Sequence, residues 1–237
     1  MKYIRVLLAS VLFLAIAAGT VDDSSSEIIP AAINASQERE PLSYSDEPIV
    51  SAIDYLLSCQ NEDGGFGANP ESECDIKDTS LAIIALAPTG RNLSALAING
   101  SNPLDYLLER QEELDNLSNV EAQIGRYVVA LASAGLDPRD INGKDYVKIL
   151  KSYFGSGGEV GTENYIWDDA WAIMALAACN ESQSNEVKSA VDHLLHLQTA
   201  KGGWAWNGGS NGEDPDTSGI ILCALLSGGE EKDSDVV

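Results

Sequence analysis

Leu56-Leu57-Ser58-Cys59-Gln60-Asn61-Glu62-Asp63-Gly64-Gly65-Phe66 comes back 138 residues later as Leu194-Leu195-His196-Leu197-Gln198-Thr199-Ala200-Lys201-Gly202-Gly203-Trp204. The leucine pair, the glutamine, the glycine pair and the aromatic keep their spacing in both copies. Between them stand Leu107-Leu108-x-x-Gln111 and Ile149-Leu150-x-x-Tyr153 with Gly157-Gly158. The anchors 60, 111, 153 and 198 are therefore 51, 42 and 45 residues apart. A second series interleaves, Ala85-Leu86, Ala130-Leu131, Ala175-Leu176 and Ala224-Leu225, spaced 45, 45 and 49. Two independent anchors sharing one period define a repeat architecture.

Each unit reads as two helices. The first is amphipathic: Ile49, Ile53, Leu56 and Leu57 in the first unit, and Val187, Val191, Leu194 and Leu195 in the fourth, form a stripe with one face to bury. Pro48 and Pro103 fall in first-turn positions, where a missing N–H costs nothing. The glycine pair after the glutamine is expected to end this helix in a left-handed cap. In the second unit Asp115-Asn116 takes that place. The second helix of each unit (Leu81 to Ala87, Tyr127 to Ala132, Trp171 to Ala178, Ile220 to Leu226) is apolar nearly all round, which requires burial on both sides. Asp78, Asp168 and Asp216, at or near its start, suit N-capping and the helix dipole. Strand patterns are scarce. The fold class expected is all-α: an arc of about four helical hairpins, with apolar helices inside and amphipathic ones outside.

Outward from the repeats, residues 1–19 read as an export signal. Lys2 and Arg5 precede an apolar run from Val6 to Ala18, and Ala15-Ile16-Ala17 offers a small-x-small cleavage pattern. Residues 20–46 read as a flexible linker, 47–228 as the repeat domain and 229–237 as an acidic tail. Lys and Arg number 14 against 37 Asp and Glu, a net charge of −23; losing Lys2 and Arg5 with the signal makes it −25. A surface so acidic repels phosphate backbones and anionic lipid, which excludes nucleic-acid and anionic-membrane binding. Export makes the protein extracellular, secreted or at the cell surface. Five Asn-x-Ser sequons, at Asn34, Asn92, Asn99, Asn116 and Asn180, then become glycosylation candidates. Cys59, Cys74, Cys179 and Cys223 become disulfide candidates. Cys59–Cys74 is the bridge expected, while Cys179 and Cys223 also suit small buried positions.

Gln60-x-x-x-Gly64-Gly65-Phe66-Gly67 followed by Asp78-Thr79-Ser80, and Gln198-x-x-x-Gly202-Gly203-Trp204 followed by Asp216-Thr217-Ser218, resemble the repeat of terpenoid cyclases and protein prenyltransferases. The resemblance covers about residues 47–228 and implies an α/α toroid, which in that superfamily closes with six hairpins. It also implies that the glutamine and the aromatic stack at hairpin ends. The chemistries of the superfamily find no match in the residues. The cyclase D-x-D-D acid has only Asp214-Pro215-Asp216-Thr217 and Trp167-Asp168-Asp169 near it. His193 and His196 are not placed for the prenyltransferase zinc set of Asp, Cys and His. Cys59-Gln60 is not a thioester motif, and a D-D-x-x-D diphosphate site is absent. The Asp-Thr starts of the inner helices are similar to those of the secreted cobalamin carriers. That resemblance implies a non-catalytic module holding a small hydrophobic or ring-bearing ligand, corrinoid-like or isoprenoid-like. The alternatives are a cyclase- or prenyltransferase-type enzyme, or a fragment of one, and a structural protein of the cell surface.

Candidate ligand contacts are Trp167 and Trp171 as stacking platforms, Asp168 as a polar anchor or a simple cap, and Arg126 with Tyr127 for a ligand carboxylate or phosphate. Asp78 and Asp216 complete the set; no catalytic residue and no metal site are expected. Arg126 could equally pair with a nearby Asp, and Trp204 suits stacking against Gln198. Four hairpins leave apolar helix edges open, so self-association or a partner chain is expected to complete the ring.

Overall fold

The computed structural model describes residues 43–161 and 165–229. Within them the chain forms eight α-helices: α1 Glu47–Ser58, α2 Ile76–Leu86, α3 Pro103–Glu109, α4 Val120–Ser133, α5 Tyr146–Lys151, α6 Trp167–Ala178, α7 Asn185–His196 and α8 Pro215–Gly228. The export segment, nearly all of the linker with Asn34, and the acidic tail after Gly229 lie outside the described residues.

The helices pair as four hairpins. Inner α4 packs on α2 and α6, and α6 packs on α8, while α3, α5 and α7 cover them from outside. Burial follows the sequence pattern. Every residue from Ile124 to Leu131 in α4 and from Asp168 to Leu176 in α6 is buried. In contrast, α7 buries only Val187, Ala190, Val191 and Leu194. Each fully buried Leu, Ile or Val side chain contributes about 1.5–3 kcal/mol, so these two central helices anchor the arc. At its ends, Leu81 on α2 and Leu222 on α8 remain 40% and 38% exposed.

The two glutamine–glycine turns work differently from expectation. Helix α1 stops at Ser58, before Gln60, and the glycines sit in the turn of a small hairpin closed by an antiparallel Gln60–Phe66 bridge. Gly64, Gly158 and Gly202 adopt φ of 86°, 94° and 87°, a left-handed conformation that disfavours a Cβ. The glutamine holds this turn by donating through Nε2 to the next glycine carbonyl: Gln60 to Gly64 at 3.2 Å and Gln198 to Gly202 at 2.9 Å. Trp204 is buried, its indole N–H donating to the Leu194 carbonyl at 2.7 Å, which ties the turn to α7. In the second unit, Gln111–Asn116 winds into a 3₁₀-helix, and the left-handed residue is Asn119.

The inner-helix caps are also displaced by a few residues from those expected. Asp75 accepts from the Asp78 N–H at 2.6 Å and Asp214 from the Thr217 N–H at 2.8 Å. Phe66 N–H then donates to Thr79 Oγ1 at 2.9 Å, and Trp204 N–H to Ser218 Oγ at 3.0 Å. Thr79 therefore corresponds to Ser218, and Asp78 to Thr217, so neither Asp78 nor Asp216 is a cap.

All four cysteines are free thiols. The expected Cys59–Cys74 bridge fails on geometry. The Gly67 N–H donates to the Cys59 carbonyl while Gly67 pairs with Cys74 on its other side. The two cysteines thus flank an intervening extended segment, about 10 Å apart at ordinary strand spacing. A disulfide tolerates at most about 7 Å between Cα atoms. Cys59 donates instead to the Tyr55 carbonyl, and Cys74 to the Asp63 carboxylate at 3.1 Å.

Candidate functional site

The rim where the inner helices begin gathers polar and aromatic groups that the core does not need. Its centre is the α4–α6 crossing. A Cβ on Gly125 would come within 2.8 Å of the Trp171 Cβ, so this glycine allows the two helices to approach closely. Next to it, the Arg126 guanidinium carbon lies 5.1 Å from the Trp171 ring centroid, a cation–π arrangement. Both side chains are 8% exposed. Arg126 donates to Gln123 Oε1 at 2.8 Å, and no described carboxylate comes within 4.0 Å of its guanidinium. The Trp171 indole nitrogen is buried with no hydrogen-bond partner among the described residues.

Electrostatics around Arg126 are unusual. Burial lowers its pKa, opposed by the more distant carboxylates of Asp168, Asp75 and Asp78. A guanidinium stays ionised at any ordinary pH, so the cation sits in a poorly solvated place and attracts an anion. Burial, aided by the Glu121 charge, pushes the Asp168 carboxyl up to about 7. Burial likewise pushes Asp169 up to about 8. Near neutrality Asp168, the one of the two that acts on Arg126, compensates its charge only partly.

Asp168 also has a structural task. Helix α4 has no side-chain cap of its own, because Asn119 is left-handed there. Asp168 Oδ1 accepts instead from the Ala122 N–H at 3.2 Å, capping α4 from the neighbouring helix. Asp169 accepts from the Val160 N–H at 3.2 Å and pins the loop before α6.

Of the seven candidate contacts, Arg126, Trp171 and Asp168 come together, with Asp78 near enough to act on the Arg126 charge. Trp167 donates to Thr217 Oγ1 at 3.2 Å, joining α6 to α8. Asp216 is exposed. Tyr127 lies elsewhere: it is fully buried, its ring 4.9 Å from that of Tyr146 and its hydroxyl 3.4 Å from the Leu107 carbonyl, against the outer layer. Sequence reasoning missed Gly125, Gln123 and Tyr165. Tyr165 pairs edge-to-face with the exposed Trp206 at 6.3 Å. An aromatic two residues before Trp167 was the available signal for it; Gly125, inside an apolar helix, was the signal for a close crossing. Among the described residues no three His, Cys, Asp or Glu side chains gather as a metal-ligand set.

The profile of the prenyltransferase α/α-toroid domain matches residues 32–145 and again 144–235. The chain belongs to this family. Protein farnesyltransferase subunit beta from Arabidopsis thaliana is 24% identical to it over 168 residues, 67% of this chain and 35% of that protein. This toroid chain thus spans about a third of the length of the curated relative it matches. The four hairpins are the toroid repeats themselves, the first and fourth ending in glutamine–glycine turns, and the Arg126–Trp171 crossing lies at the contact between the second and third.

Proposed function

We propose that this toroid chain is an exported, non-catalytic binding module. It holds a small ligand that joins an anionic group to a flat or apolar body, at the rim where α4 and α6 cross. The observation that carries the reading is the buried Arg126 stacked on Trp171 with no carboxylate in contact range among the described residues. Burying a cation without its counter-ion costs several kcal/mol, and an anionic ligand removes that cost while the indole supplies a stacking face. The absent D-x-D-D, D-D-x-x-D and thioester motifs favour holding over reacting. The basic start and apolar run of residues 1–19 support export.

The family relationship adds association to this reading. The curated relative is by name one subunit of an enzyme. Leu81 and Leu222 leave apolar surface at both ends of the arc, suited to a further toroid-type chain. With −25 charges on each exported copy, once Lys2 and Arg5 are lost from the −23 of the full chain, a less acidic partner is favoured over self-association.

The test is extraction of the chain, purified without denaturant from its own source, followed by mass analysis of the released small molecules. An acidic, ring-bearing or apolar compound at about one per chain is expected, and its mass separates corrinoid from isoprenoid. Extracts no different from those of an unrelated exported protein would contradict the reading.

A further inference from the structure

The opposite rim, where the inner helices end, carries three sequons in positions built for modification. Asn92, Asn99 and Asn180 are all exposed. Asn92 Oδ1 accepts from the Ser94 N–H at 3.1 Å, which fixes the side chain through its oxygen and turns its amide nitrogen to solvent. Asn99 and Gly100 form the tip of a two-residue turn, closed by reciprocal bonds between Ile98 and Ser101 at 2.9 and 3.0 Å. Asn99 has φ 51° there, and Asn180 has φ 63° in the turn after α6. Both residues are exposed in these turns. Asn116 is exposed as well, on the ligand-site rim.

The fold supplies its own comparison. Ile141-Asn142-Gly143-Lys144 makes the same turn one repeat later, with φ 51° at Asn142 and closing bonds of 3.0 and 2.9 Å. Only the fourth position differs: Ser101 in one turn, Lys144 in the other.

We infer that Asn92, Asn99 and Asn180 carry N-linked glycans, which shield the rim opposite the ligand site. The inference rests on the export reading of residues 1–19. In the transfer, Asn Nδ2 attacks the anomeric carbon of a lipid-diphosphate-linked oligosaccharide. The C–N bond forms as the C–O bond to phosphate breaks, the amide gives up a proton and the lipid diphosphate leaves, with no redox change.

The experiment is peptide mapping by mass spectrometry of the full chain from its own source cells, with the Ser94→Ala, Ser101→Ala and Ser182→Ala variants made in the same cells. Peptides bearing Asn92, Asn99 and Asn180 should show glycan mass increments and sugar fragment ions. Each alanine variant should lose the increment at its own site, and the Asn142 peptide should show none. A chain cleaved near residue 19 with Asn99 unmodified would leave export standing and overturn the inference. An uncleaved, unmodified chain would overturn both. Increments that persist in the alanine variants, or that also appear at Asn142, would overturn it as well.

Discussion

Gly125 and Trp171 meet so closely that a single methyl group on the glycine would lie 2.8 Å from the tryptophan Cβ. That contact sets the α4–α6 spacing and thereby places Arg126 over the Trp171 ring.

Gly125→Ala therefore pushes the two central inner helices apart. Overpacking at such a crossing costs about 1–3 kcal/mol, beyond what alanine returns in helix propensity. The thermal midpoint should fall by several degrees, and the near-ultraviolet tryptophan signal should change with it. An unchanged or raised midpoint would mean that the crossing is looser than the structure has it.

Arg126→Met keeps the side-chain length and removes a cation that has no counter-ion in contact. Replacing buried charge by apolar volume is often neutral or stabilising. The variant should melt at or above the wild-type temperature. A clear loss of stability in denaturant titrations would assign the arginine to the fold.

Stability should fall as pH rises across neutrality. Asp168 and Asp169 have folded pKa values of about 7 and about 8, raised by burial above the ordinary carboxylate value. The folded state therefore holds protons that the unfolded chain has released. Their stabilising contribution is complete below the ordinary carboxylate pKa and is lost as pH climbs through about 7 and about 8. Asp169→Asn keeps an oxygen for the Val160 N–H and should flatten this fall. Denaturation midpoints measured across that range check it; a slope unchanged by the substitution would contradict it.

Asp75→Ala should cost about 1 kcal/mol by removing the cap on α2. Asp78→Ala removes only a partly exposed ion pair with Lys77 and should cost less. Chemical denaturation of the two variants side by side decides the register of the inner helices. The reverse ranking would restore Asp78 as the cap.

Four thiols should react with iodoacetamide in denaturant without reductant, since all four cysteines are free. In the folded protein Cys74, half-buried, should react ahead of the buried Cys59 and Cys179. A product two alkyl groups short would reveal a disulfide.

The arc was legible because its signals are periodic. Leu194, Gln198, Gly202 and Trp204 repeat Leu56, Gln60, Gly64 and Phe66, and a helix apolar on all sides has nowhere to go but the inner layer. The local details were not, because they depend on partners distant in sequence. Asp168 looks like a cap for its own helix and caps α4 instead, 46 residues earlier in the chain. Cys59 and Cys74 look close along the chain, yet the segment holding Gly67 runs between them. Asp214 could have been found, since Pro215 in the first helical position marks the residue before it as the cap. In the site, Arg126 and Trp171 were named separately from their residue types; that they touch follows from Gly125, whose meaning appears only once two helices are packed.

The central claim is that Arg126 is held for a ligand. Native mass spectrometry of the wild type and of Arg126→Met, both purified from the protein's own source, tests it most directly. The account predicts a stoichiometric small-molecule adduct on the wild type and bare, folded protein for the variant. The same adduct on both, or none on either, would contradict it.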